Sequence, residues 1–468
     1  MAKISRRAAI LGGVGVVGLG AVGTVFGMRN GRFGAAMKAY MFGYPLVTME
    51  MTRKLMTNVA EPGRKNAPMG QFIKGRQFPD ATFRDVVAPN ADTLYATAWI
   101  DVGAEPWVLS VPDMKGRYFM FPMLDAWTNV IEIPGTRTTG TGPQTYAVTG
   151  RSWNGTLPPG VVEIRSPTDM VWIHGRIYSS GTAEDYAQVH ALQDALRLRP
   201  LSAYGTDYVP PAGRIDPKFD MKTGLRKQVN DLDMTTFFTM LSDLMVRNPP
   251  TAADAPMLET LAEIGVVPGK PIDHDRFDFA FRDLVPKASF AEIMAHMKFS
   301  GGDMIEKDGW AWTLRAGRYG TDYIFRALIT VIGLGANIAA DSVYGISWAD
   351  ADGGDYDGKH RYQIRFAPGQ EPPAKGFWSL TLYDKDFYFT ANPANRYAIS
   401  PRDHFEREPD GSIILHIQKD RPAKAVANWL PAPDGPFQLM WRMYWPTGGK
   451  PSILNGTWTI PGARRVDA

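Results

Sequence analysis

Met170-Val-Trp-Ile-His-Gly-Arg-Ile-Tyr178 and Phe437-Gln-Leu-Met-Trp-Arg-Met-Tyr-Trp445 are the two stretches on which the fold turns. Side chains alternate across a strand, so every second residue shares a face. In the first stretch Val171, Ile173 and Ile177 make an apolar face, and Trp172, His174, Arg176 and Tyr178 lie opposite. In the second, Phe437, Leu439, Trp441, Met443 and Trp445 are apolar, with Gln438, Met440, Arg442 and Tyr444 opposite. Each pattern predicts a strand packed on a core through one face. The other face mixes guanidinium with rings. A guanidinium holds a carboxylate or sulfate through paired N–H donors while a ring stacks on the ligand. Trp172, Arg176, Arg442 and Tyr444 are therefore candidate substrate-binding residues. The plainer reading, which the sequence favours, makes these outer faces, with Arg and Tyr lying flat on a wet surface.

Outward from these stretches, Thr93 to Val102, Trp107 to Val111 and Arg117 to Asp125 also alternate, as do Phe377 to Tyr383 and Ile413 to Gln418. Turn dipeptides Asp357-Gly358, Asp410-Gly411 and Asp434-Gly435 punctuate the second half, as in a sandwich or jelly roll. Phe33 to Met56 reads as a helix broken at Pro45. Thr182 with Asp185 resembles a capping box. Asp233 is a candidate cap for a helix burying Met234, Phe237, Phe238, Leu241, Leu244 and Met245 and stopped at Pro249-Pro250. Shorter helical patterns cover Met257 to Ile264, Phe290 to Met297 and Asp322 to Leu334. The expected fold class is α+β and β-dominated, with two strand-rich domains joined by a helical section. The expected boundaries put a leader at 1–30, an N-terminal strand-rich domain at 31–210, the helical section at 211–336 and a C-terminal β-sandwich or jelly-roll-like domain at 337–468.

The chain has 468 residues, 44% hydrophobic and 21% charged, which makes it globular. Its net charge of +3 comes from Lys3, Arg6 and Arg7. The remainder is balanced and gives no electrostatic case for a nucleic-acid partner. With no cysteine, disulfides, thiolate catalysis, iron–sulfur clusters and Cys-ligated zinc are excluded. Ser5-Arg6-Arg7 and the apolar, glycine-rich run from Leu11 to Gly27 resemble a twin-arginine signal. The implied partner is the twin-arginine translocase, and the implied location is the periplasm, with the leader cleaved or kept as an inner-membrane anchor. Gly13-x-Gly15-x-x-Gly18 in this run mimics a dinucleotide fingerprint, but no strand precedes it and the first acidic residue is Glu50. No cofactor is expected.

Several blocks have a familiar look. Tyr40-x-x-Gly43-Tyr44-Pro45-Leu46, Asn90-x-Asp92-Thr93-Leu94-Tyr95, Gly116-Arg117-Tyr118, Asp125-x-Trp127-Thr128-Asn129, Arg137-Thr138-Thr139-Gly140-Thr141 and Arg165-Ser166-Pro167-Thr168 are similar to the bacterial "domain of unknown function 1254". Gly335-Ala336-Asn337, Phe377-Trp378-Ser379-Leu380-Thr381, Asn392-Pro393-x-x-Arg396-Tyr397, Asp410-Gly411-Ser412 and Asn428-Trp429-Leu430-Pro431 resemble the "domain of unknown function 1214". The resemblance implies a β-rich two-domain architecture in that order with a helical connection, and no established reaction. Asn90, Tyr95, Trp127, Arg137, Trp378 and Arg396 from these blocks join the candidate binding set.

For proton transfer the candidates are Asp92 and Asp125. Asp125 falls in phase with Phe119, Phe121 and Met123. A carboxyl on a core face is desolvated and its pKa rises, which suits a general acid or base. The structural alternative has Asp125 cap the Ala126–Asn129 turn and Asp92 fix an Asx-turn. No Gly-x-Ser-x-Gly elbow and no close histidine pair is present. No metal site is expected. The Asp350, Asp352, Asp355 and Asp357 loop is a poor EF-hand, with Asp355 and Arg361 where Gly and Glu belong. The functional expectation is an exported protein, a metal-independent hydrolase or lyase acting on a small polar or anionic substrate in an aromatic-lined cavity. The alternative is a non-catalytic periplasmic module binding a glycan or protein. Self-association into a homo-oligomer is left open.

Overall fold

The structure is a computed structural model that describes residues 31–84, 87–273, 275, 277, 279–299 and 303–466. The leader, His274 and Asp278 lie outside the described residues. The first half contains α1 (Arg32–Thr57), β1 (Ile73–Lys74), β2 (Thr93–Asp101), β3 (Trp107–Val111), β4 (Phe119–Met120), β5 (Met123–Asp125), β6 (Val130–Glu132), β7 (Gln144–Thr149), β8 (Val162–Arg165), β9 (Met170–Tyr178), α2 (Ala183–Ala195) and β10 (Arg197–Pro200). Then come α3 (Leu225–Asn230), α4 (Met234–Arg247), α5 (Ala255–Glu263), α6 (Phe279–Phe299), β11 (Ile305–Lys307), β12 (Trp310–Trp312) and α7 (Tyr323–Gly333). The chain closes with β13 (Ser342–Ser347), β14 (Tyr362–Phe366), β15 (Ala374–Asp384), β16 (Ala398–Ile399), β17 (Ile413–Gln418), β18 (Trp429–Pro431), β19 (Phe437–Pro446) and β20 (Arg464–Arg465).

The strands form two sandwiches. In the first, the sheet β1-β2-β9-β5-β6, with β4 on β9, packs on β10-β3-β7-β8. Ile100, Val171, Ile173 and Ile177 meet Leu109, Val111 and Val148 in its core. In the second, β11-β12-β13-β19-β15-β16 packs on β18-β17-β14-β20. Leu439, Trp441 and Met443 meet Ile364, Leu415 and Ile417 there. The apolar faces read from the sequence are thus the faces turned to these cores.

The opposite faces do not meet solvent, as the plainer reading had it. Arg176 is 5% exposed, Arg442 4% and Tyr444 0%. Alternation says which residues share a face. It does not say whether a second sheet covers that face, and here the two six-stranded sheets cover each other's.

A helical layer seals one end of the seam. α1 is buried around nearly its whole circumference, as expected of a helix surrounded by others. It packs on α3, α4, α5, α6 and α7. It also runs straight through Pro45 instead of breaking there. Proline removes one N–H bond, and the packing of Tyr40, Phe42, Tyr44 and Leu46 holds the helix on both sides. Gly43 allows the closest approach, since a Cβ there would sit 2.6 Å from Leu241 of α4. Both helix caps form, but the Thr182–Asp185 box only in half, because the Asp185 carboxylate turns to Ser179 Oγ, the Ser180 N–H and Arg117. The Thr182 hydroxyl accepts from the Asp185 N–H at 3.2 Å, and Asp233 accepts from Thr235 and Thr236. The stretch Arg117 to Asp125 is two short strands, because Pro122 interrupts the pairing with β9. Among the described residues no helix is long and apolar enough to cross a membrane.

Candidate functional site

β2 and β9 pair in antiparallel register, with Tyr95 opposite Arg176, Thr97 opposite His174 and Trp99 opposite Trp172. The four rings Trp99, Trp172, His174 and Tyr95 stack in sequence, with centroids 5.0, 4.2 and 5.0 Å apart. Across the seam, β19 is the centre strand, with Arg442 between Tyr344 of β13 and Ser379 of β15. Tyr444 stacks on Phe377 at 4.3 Å, and Phe377 meets Tyr178 of the first sandwich at 4.7 Å. Aromatic contacts therefore join the two sheets around a polar centre.

Arg176 occupies that centre. Its Nη1 donates to Asn337 Oδ1 at 3.0 Å, its Nη2 to the Gly335 carbonyl at 3.4 Å and its Nε to the Tyr95 hydroxyl at 3.5 Å. Its acceptors are all neutral. Arg442 likewise donates to Thr381, Tyr383 and the Ala88 carbonyl. The Asp92 carboxylate is fully enclosed. Its Oδ2 accepts from Ser379 Oγ at 2.6 Å, and its Oδ1 lies 3.3 Å from the Arg402 guanidinium. Asn90 Oδ1 accepts from the Asp92 and Thr93 N–H groups, an Asx-turn, while its Nδ2 donates to the Tyr444 hydroxyl at 2.9 Å. Three guanidinium groups, Arg176, Arg402 and Arg442, thus converge with one carboxylate. The centre carries excess positive charge.

This charge acts on the phenols. Burial pushes Tyr344 up, but Arg176, hydrogen bonds with Ser342 and Tyr444, and Arg442 outweigh it and bring it below the usual phenol range. Tyr444, whose hydroxyl is 3.4 Å from that of Tyr344, is driven the other way, by burial and then by Tyr344. The pair thus divides into one acidified phenol and one that keeps its proton. Arg176 stays charged; burial opposes its charge, and Tyr95, Tyr344 and Tyr444 outweigh that. Burial, then Arg176, hold His174 well below the imidazole range, so it is neutral. Its tautomer follows from Thr97. That hydroxyl spends its proton on the Ile173 carbonyl at 2.8 Å and accepts from Trp172 Nε1 at 2.7 Å. Its contact with His174 Nδ1, at 3.4 Å, therefore requires Nδ1 to be the donor. Nε2 is left with a free lone pair and no protein partner among the described residues. Tyr95, His174 and Tyr344 are half-buried, whereas Arg176, Arg442 and Tyr444 are buried. Two open clefts elsewhere, of ≈ 450 Å³ beside Ser110 and Tyr146 and ≈ 500 Å³ beside Glu50 and Met240, include none of these residues.

The family model described as "Protein of unknown function (DUF1254)" matches residues 69–200, and that described as "Protein of unknown function (DUF1214)" matches 341–448. The chain belongs to the tandem DUF1254–DUF1214 family. It is similar to the VPA0106 protein from Vibrio parahaemolyticus, with 24% identity over 93% of this chain and 100% of that one and a TM-score of 0.69. It is also matched, at 12% identity over 95% of this chain and 97% of that one, by an uncharacterised protein from Burkholderia cenocepacia, with a TM-score of 0.44. No curated protein matches it. In this DUF1254–DUF1214 chain the site straddles both matches. Asn90, Asp92, Tyr95, His174 and Arg176 come from the first, and Tyr344, Ser379, Arg402, Arg442 and Tyr444 from the second.

Of the residues singled out in the sequence, Asn90, Asp92, Tyr95, Trp172, Arg176, Arg442 and Tyr444 converge here. Arg137 bridges the sandwiches at the rim, paired with Asp341 at 2.7 Å. The others lie elsewhere. Trp127 packs on Phe42 of α1. Trp378 stacks on Trp441 inside the second core. Arg396 is spent on Asp403 and the carbonyls of Val426 and Ala427. Asp350 accepts from the Asp352 and Gly354 N–H groups, so its loop is a closed turn, and among the described residues no cluster of acidic and histidine side chains is placed to hold a metal. Sequence reasoning missed His174, Tyr344, Asn337, Ser379 and Arg402 as site residues. Alternation along Ser342-Val343-Tyr344-Gly345-Ile346 was the available signal for Tyr344.

Asp125 caps its turn, accepting from the Trp127 and Asn129 N–H groups and from Asn129 Nδ2. Burial pushes it from 3.8 up to about 6, against those hydrogen bonds and Arg326. The folded protein therefore binds this proton more tightly than the unfolded chain. The stability it gives is complete below the unfolded value and lost as pH rises through the folded one, a fall on the order of 2–3 kcal/mol. Asp125→Asn is expected to remove that slope. Urea melts at about pH 4 and about pH 7 check this, and equal slopes in both proteins would mean Asp125 titrates normally.

Proposed function

We propose that the seam between the sandwiches admits and binds a small organic carboxylate, and that Tyr344 takes a proton from the carbon beside the carboxyl group. The carrying observation is Arg176, an enclosed cation whose hydrogen bonds go to Asn337, Gly335 and Tyr95 and whose charge lowers Tyr344. A carboxylate beside Arg176 gains a charge-assisted bond in a dry site. When the C–H bond breaks, its electron pair delocalises into the carboxyl group as an enediolate, and the guanidinium stabilises the added charge. The proton goes to the Tyr344 oxygen. A hydroxyl on the next carbon then leaves with the electron pair and takes that proton as water, so Tyr344 ends as it began. His174 Nε2 accepts from a substrate hydroxyl and orients it. This is lyase chemistry. Asp92 positions the walls instead of touching substrate. The Ser5-Arg6-Arg7 leader supports a periplasmic setting for the reaction.

The test uses lactate, 3-hydroxybutyrate and malate in D2O. Loss of the C–H signal beside the carboxyl group is followed by proton NMR, with melting shifts read in parallel. Exchange and stabilisation are expected in the wild type. In Arg176→Met both are expected to vanish, with affinity down more than about 30-fold. Binding without exchange would favour the non-catalytic module, and neither effect with any of the three acids would sink the reading.

A further inference from the structure

Three arginines at or near the seam each have a carboxylate, Arg137 with Asp341, Arg402 with Asp92 and Arg117 with Asp185. Arg442 donates to hydroxyls and carbonyls of the walls. Arg176, more enclosed than those three, is given an amide. Asn337 is 3% exposed. Its Oδ1 accepts from Arg176 at 3.0 Å and its Nδ2 donates to Ser342 Oγ at 3.0 Å. The amide orientation is fixed by chemistry, because a guanidinium can only donate.

The loop that carries Asn337 is held tightly. Gly335 has φ +83, and a Cβ there would meet the Trp172 ring at 3.1 Å and the His174 ring at 3.2 Å. Its carbonyl is the second neutral acceptor for Arg176. The loop lies just ahead of the second family match, which begins at residue 341. Aspartate has nearly the shape of asparagine and would fit the same place, with the Ser342 hydroxyl turned round to donate. A carboxylate is therefore sterically available at position 337 and absent there.

We propose that Asn337 is the residue that sets the charge seen by the ligand. By accepting from Arg176 without neutralising it, Asn337 reserves the guanidinium for a carboxylate and makes the site refuse neutral analogues. It is a positioning and specificity residue, and the proposal rests on the carboxylate reading given above.

Asn337→Asp and Asn337→Ser test it, with lactate, 3-hydroxybutyrate and the neutral lactamide as probes for calorimetry and melting. Wild type is expected to bind the acids and not the amide. Asn337→Asp should bind the acids more than about 30-fold more weakly and melt higher without ligand, since its buried cation now has a partner. Asn337→Ser, which is neutral, should keep the preference for acid over amide. Unchanged acid binding in Asn337→Asp overturns the proposal while the carboxylate reading stands. So does a lower melting temperature or failure of that variant to fold, because the counter-ion would then not be tolerated. Equal loss in both variants also overturns it, since position and not charge would be at work. A wild type that binds none of the acids sinks both readings together.

Discussion

Tyr344→Phe is expected to slow hydrogen exchange on a bound hydroxy acid by about 10²–10⁴-fold and to leave binding nearly unchanged. The substitution removes one oxygen and keeps the ring that packs at 5.9 Å from Tyr444. Arg176 still holds the carboxylate, so affinity is carried by a group that the change does not touch. The pH profile gives an independent check. Tyr344 sits below the usual phenol range because Arg176, Ser342, Tyr444 and Arg442 together outweigh the effect of burial. The wild-type rate should therefore climb with pH as this phenol loses its proton, levelling off below the range of an ordinary tyrosine. The phenylalanine variant should lack that climb. A variant that exchanges at the wild-type rate would move the base elsewhere, with His174 Nε2 next to be tested.

The second large effect is on stability. Asp92 receives Ser379 Oγ from the opposite sandwich and lies against Arg402. Asp92→Ala leaves the Ser379 hydroxyl without its acceptor and the positive centre without its one carboxylate. Breaking a buried charge pair from one side costs about 3–5 kcal/mol, and that is the expected loss in urea unfolding. Asp92→Asn restores an acceptor for Ser379 without the charge and should fall between wild type and alanine. A loss under about 1 kcal/mol for the alanine variant, the scale of an exposed pair, would mean that the seam relaxes around the gap.

Much of this architecture was legible from alternation. The apolar faces of Met170–Tyr178 and Phe437–Trp445 are core faces, because a sheet with one hydrocarbon face must bury it. The same reading put Arg176, Arg442 and Tyr444 together on faces of their own. What it lacked was the partner. Whether a polar face is wet or sealed depends on how two sandwiches dock, and docking is set by residues far apart in the chain, such as Phe377 meeting Tyr178. Asp125 shows the complementary difficulty. Its phase with Phe119 and Met123 correctly placed it inside, yet burial is shared by catalytic and turn-capping carboxylates, and its oxygens are turned to the N–H groups of its own turn. Asn337 stood in a familiar motif, but an amide gives no sign of the guanidinium it will meet some 160 positions earlier.

The seam also explains an arrangement written in the gene. One wall of the seam belongs to the DUF1254 segment, the facing wall to the DUF1214 segment, and the amide at Arg176 to the loop just before the latter. Expressed singly, either module would hold half of the site and expose a sticky aromatic flank.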